Sequence, residues 1–186
     1  MRNATVALVL AIAIAAAAAE TATVAQTKTT GTLIQVMRGS VFRDANLIFD
    51  VQQTDPGAPQ QPHNTGPGTS TTSNFSNVYT GWQVVENAAV MLDEAVDVML
   101  KPRMCANGIA APVNDAVYRK TAEGLRTVAR DVLAAARAKD RDRVVELAEP
   151  LADACAACHQ VYRDPEGPKG FGDTSIRCKV AKTSVN

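Results

Sequence analysis

Five consecutive residues, Cys155-Ala156-Ala157-Cys158-His159, carry the most specific chemistry in the chain. Two thiols three positions apart are followed at once by an imidazole. On a helix turning about 100° per residue, the three side chains fall near 0°, 300° and 40°, so they share one face. That face suits a flat macrocycle. Two thiols can add to the two vinyl groups along one porphyrin edge, while the adjacent imidazole reaches the iron from below. Attachment then fixes the ring, and the histidine need only offer a nitrogen in the right tautomer. The C-x-x-C-H spacing predicts one covalent haem c, bonded through Cys155 and Cys158, with His159 on the iron.

Three other uses of these residues compete. A thioredoxin-like C-x-x-C belongs beside a strand in a βαβ unit, and no such unit is visible. A structural zinc site needs a fourth ligand, for which Cys105 or Cys178 would serve. A disulfide within the motif leaves the histidine without a role. Cys105, Cys155, Cys158 and Cys178 are the only cysteines, too few for a disulfide framework in a domain of this size.

The motif is expected to work outside the cytoplasm. A basic start, Met1-Arg2, precedes an apolar run from Ala4 to Ala19, and small residues occupy the -3 and -1 positions before cleavage at Ala19 or Ala25. This is the layout of a signal peptide over residues 1–25. The run, about 16 residues, is shorter than the roughly 20 of a spanning helix. The mature chain is therefore expected to have no membrane span. Its balanced charge, with 19 basic and 19 acidic residues overall, gives no reason to expect nucleic acid or an anionic membrane as a partner. In an oxidising compartment Cys105 and Cys178 are expected to pair and pin the tail.

Four helical segments must position the motif. Leu33, Met37, Val41, Ala45 and Ile48 recur at helical spacing between Thr30 and Val51. A Pro-, Gly- and Ser-rich loop spans residues 52–76, with Asp55-Pro56-Gly57 as a turn signal. Val78, Trp82, Val85, Ala89, Leu92, Val96 and Met99 make a second stripe that stops before Pro102, with Trp82 read as a packing residue. A third helix runs from about Asn114 to Ala138 with Val117, Thr121, Leu125, Val128 and Val132 inward. Asp140 caps a fourth, whose inward face is Val144, Leu147, Leu151, Cys155, Cys158 and Tyr162. Pro150 should kink or break it about one turn before the cysteines. The predicted fold is all-α, an antiparallel four-helix bundle over residues 26–168 with a tail at 169–186.

With its motif on the last of four helices, followed by Tyr162 and Arg163, the chain resembles the class II c-type cytochromes, the cytochrome c′ family. That family's pattern is C-x-x-C-H-x-x-(aromatic)-Arg on the final helix. The match is residue-specific only in this block; over residues 30–164 it rests on helix order. The long loop, Pro150, the Cys105/Cys178 pair and the tail depart from the pattern. The resemblance implies that the sixth iron position faces the first helix, where Met37 offers a thioether. The competing view is that Met37 is ordinary core. His63, the other donor, lies in the loop. Arg38 and Arg163 are candidates for pairing with haem propionates, and Tyr162 is expected to pack on the porphyrin or core with its hydroxyl toward solvent. The family often forms dimers through its first two helices, which makes a second copy of the chain a candidate partner.

Two functions follow. In the first, an exported, periplasmic monohaem cytochrome passes single electrons to partner proteins, with methionine raising the potential. In the alternative, a five-coordinate haem binds nitric oxide or carbon monoxide. An enzyme is not expected, because no paired carboxylates or His/Asp arrangement accompanies the motif.

Overall fold

A computed structural model describes residues 29–59, 79–165 and 172–178. The leader-like segment, Val78, His63 and most of the 52–76 loop lie outside the described residues, as do both ends of the tail. Among the described residues the regular structure is helical, apart from one isolated bridge between Met104 and Ala110. The chain is all-α. None of its described helices is long and apolar enough to cross a membrane.

The first rod begins at α1 (Leu33–Val36), where the Thr32 amide donates to Gln35 Oε1 at 2.7 Å in the manner of a capping box. It passes through a π turn (Met37–Val41) into α2 (Phe42–Phe49) and ends in a 3-10 turn (Asp50–Gln52). Gly39, the weakest helix former of the segment, occupies the π turn beside Ser40. Ser40 Oγ donates to Asp44 at 2.8 Å, and Arg43 Nη2 reaches the same carboxylate at 2.8 Å. These bonds satisfy Asp44, which is buried, and tie the π turn to α2.

Helix α3 (Trp82–Met99) and helix α4 (Ala116–Ala138) make the most extensive helix pair. Arg126 bonds Asp93 at 3.0 Å and also Asp97, while Arg130 bonds Asp93 at 3.1 Å. Moving down α3 therefore means moving up α4: the pair is antiparallel. Beneath this network lie Leu92 and Val96 of α3 and Ala122, Ala129 and Val132 of α4, all essentially without exposure. Burying these side chains supplies most of the attraction, at about 25 cal/mol per Å² of apolar surface. The partly exposed ion pairs chiefly set register.

Asp115 caps α4, accepting from the amides of Val117 and Tyr118. The inward face of this helix keeps Leu125 and Val132 of the expected stripe but departs from it at the first turn. Val117 is 50% exposed, and Tyr118 is buried in its place. That stripe left out Ala122, Ala129 and Ala136, which are buried and whose small side chains let neighbouring helices approach closely.

The last rod is two helices, α5 (Arg141–Glu146) and α6 (Ala148–Tyr162). Asp140 caps α5 by accepting from the Arg143 amide. Pro150 has no N–H for the Glu146 carbonyl, and the chain breaks between the two helices at Leu147. Pro150 itself is accommodated in the first turn of α6. Val144, Leu147 and Leu151 face the core.

The connector after α3 and the tail segment 172–178 are joined. A disulfide links Cys105 to Cys178, with their Cα atoms 6.4 Å apart. Asn107 Nδ2 donates to the carbonyls of Ser175 and Arg177 at 3.0 and 2.7 Å, and the Cys178 amide donates to the Tyr162 carbonyl at 2.7 Å. The Leu33 amide donates to the Met104 carbonyl at 2.8 Å, fixing the first rod to the same connector.

Candidate functional site

A cleft of about 330 Å³ opens between the first rod and α6, with the connector and tail at one end. Cys155, Cys158 and His159 line it from α6, and Met37 and Arg38 line it from the π turn. These five residues of chemistry-bearing type thus meet from segments more than a hundred positions apart. Cys155 and Cys158 are free thiols, one half-buried and the other buried.

Burial dominates the electrostatics. It lifts both thiols above the usual thiol range, reinforced at Cys155 by the neighbouring Cys158 and opposed at Cys158 by a hydrogen bond with Thr121. A redox-active C-x-x-C requires the opposite, a depressed thiol. Burial and the positive charge of Arg163 push His159 down to about 4, against a smaller opposing effect of Asp164. Its imidazole is therefore neutral at neutral pH, with a lone pair to offer. The zinc alternative fares worse. Its candidate fourth ligands, Cys105 and Cys178, are joined to each other. Among the described residues no group of three or more His, Cys, Asp or Glu side chains is arranged to hold a metal ion. Two protonated thiols, a neutral imidazole and a thioether on one cleft fit a haem.

The remaining site candidates separate. Arg38 is exposed at the rim. Arg163 is half-buried and bonds Asp164 through Nε. The Tyr162 hydroxyl does not point to solvent: it donates to Asp115 Oδ1 at 2.6 Å, and the ring is 4% exposed. That ring meets Tyr118 edge to face, with centroids 5.2 Å apart and planes at 85°. Trp82 is half-buried against the core, away from the cleft lining.

Several cleft residues were not marked by the sequence reading. Phe42 is 69% exposed although it lines the cleft. Ordinary α-helical spacing puts residues 37 and 42 on different faces. In the π turn the Phe42 amide bonds the Met37 carbonyl, stacking the two positions one above the other. The Gly39-Ser40 pair was the only available signal. Ile34, Tyr118 and Arg177 also line the cleft; Arg177 reaches it because the disulfide folds the tail back.

Comparison of the chain with models of protein families, with curated proteins and with solved structures gave no match.

Proposed function

We propose that the chain is an exported c-type cytochrome of the periplasm that transfers single electrons, an antiparallel four-helix bundle holding one covalent haem. Cys155 and Cys158 would form its thioether bonds, and His159 and Met37 would bind its iron. The carrying observation is that Met37 lines the same cleft as both free thiols and the neutral His159, from the segment across it.

Bound there, a haem supplies a one-electron Fe(III)/Fe(II) couple. The chain's residues make that couple usable. His159 presents an uncharged nitrogen because burial disfavours its protonated form. Met37 offers a soft, weakly basic sulfur, which favours the reduced metal and raises the potential. Ile34, Val41 and Phe42 give the wall around it an apolar character that limits water. Tyr162 is locked by Asp115 and Tyr118, so the end of α6 that carries His159 changes little between charge states. Small structural change on transfer suits exchange with partner redox proteins.

An absorption spectrum with and without carbon monoxide tests the reading. A six-coordinate, low-spin spectrum barely altered by the gas is expected. A high-spin spectrum that shifts readily would instead assign the five-coordinate, gas-binding function and leave Met37 as core.

A further inference from the structure

Arg177 has no role in the sequence motif, yet the fold delivers it to the cleft. It follows α6 by more than a dozen residues and is brought back to the cleft beside Cys178, which is bonded to Cys105. Its backbone is held on both sides. The Arg177 carbonyl accepts from Asn107 Nδ2 at 2.7 Å, and the Cys178 amide donates to Tyr162. Cys178 takes a left-handed φ of 61°, a conformation a non-glycine residue keeps only where its surroundings impose it.

The backbone is held, but one donor of the guanidinium is not satisfied. Arg177 Nε is shielded from solvent and has no hydrogen-bond partner among the described residues. An unmade bond at a buried donor is costly, more so on a charged group. Two other guanidinium groups have a shielded, unpartnered Nε, but Arg103 and Arg141 lie off the cleft and bond backbone carbonyls through Nη2. Arg163, on the cleft, already has Asp164. Arg177 lines the same cleft as Cys155, Cys158 and His159. A forked cation on the wall of a ligand cleft, with its Nε shielded and unpaired, matches a carboxylate on the ligand.

We propose that Arg177 binds a carboxylate of the haem and that its charge, held in place by the Cys105–Cys178 disulfide, raises the reduction potential of the iron. The inference rests on the haem reading above. A cation near the metal disfavours the more positive ferric state, and it also offsets the carboxylate's own charge.

The test uses holoprotein matured in cells that attach haem, with potentials measured by redox titration. Arg177→Gln should shift the Fe(III)/Fe(II) equilibrium roughly tenfold toward ferric, which is about 59 mV for one electron. Its resonance Raman propionate bending mode should move while the axial ligation bands stay in place. Arg177→Lys should recover most of the potential. Cys105→Ser/Cys178→Ser should lower the potential as Arg177→Gln does, and combining the two changes should add little. A haem-bearing Arg177→Gln protein with the wild-type potential and propionate mode overturns this proposal alone. An equal fall in Arg177→Lys also overturns it, because packing and not charge would then be responsible. A chain that matures without haem overturns both this proposal and the reading beneath it.

Discussion

The hydroxyl of Tyr162 donates to the carboxylate of Asp115 at 2.6 Å, joining the last turn of α6 to the cap of α4. This bond, with the Tyr118 amide, holds the Asp115 carboxyl below its usual range. A depressed acid contributes stability above its unfolded pKa and loses that contribution as pH falls through the folded one. Tyr162→Phe should lower stability at neutral pH and weaken the loss on acidification. Urea unfolding of both proteins between neutral and strongly acidic pH measures this; parallel curves would dissociate the pair from acid stability.

Haem content is the most direct check of the motif. Mass spectrometry of the denatured mature chain should show one added haem, retained through acid–organic extraction. Cys155→Ala/Cys158→Ala should abolish the covalent adduct. A wild-type chain of bare polypeptide mass, from cells that attach haem, would refute the central proposal.

Met37→Ala should leave the iron open on one side. The expected signs are a larger high-spin population, a lower potential and faster carbon monoxide binding than in the wild type. Met37 is half-buried, so the stability loss should lie near the low end of methionine-to-alanine changes, about 2 kcal/mol. Circular dichroism must first establish that the variant is folded. Unchanged ligand binding in folded protein would return Met37 to the core.

In a haem-free chain, obtained with Cys155→Ser/Cys158→Ser, the His159 ring should titrate near 4, well below the ordinary 6.5. The unfolded chain then takes up the proton first, so stability falls as pH drops from about 6.5 toward 4. NMR of the imidazole carbon protons measures the value directly; titration near 6.5 would mean the ring is solvated.

The disulfide closes a loop with a sequence separation of 73 residues. Alkylation of the unreduced, unfolded protein should label neither Cys105 nor Cys178, and reduction should release both. Cys105→Ser/Cys178→Ser should lower stability by about 2–4 kcal/mol. Labelling of both sites before reduction would rule the bond out.

The motif and the rods were legible because both rest on local periodicity. Cys155, Cys158 and His159 share a face by helical arithmetic alone, and Leu92, Val96, Leu125 and Leu151 marked the core by spacing. What was hidden depends on departures from that arithmetic. The π turn brings Phe42 beneath Met37 by adding a residue to one turn. Alanine contacts moved the buried face of α4 from Val117 to Tyr118. Pro150 announced a break, but its place at Leu147 depends on which carbonyl loses its donor. Arg177 was least legible: its position is fixed by a covalent bond and an Asn107 side chain, neither of which has a periodic signature.

The Cys105–Cys178 bond also divides the molecule mechanically. Tension applied through the two chain ends passes from Cys105 to Cys178 across the sulfurs and bypasses everything between them. Helices α4, α5 and α6, with Cys155, Cys158 and His159, form a slack loop that bears no load. The first rod and α3 lie in the loaded path. Pulling would therefore load the side of the cleft that carries Met37 and spare the side that carries Cys155, Cys158 and His159.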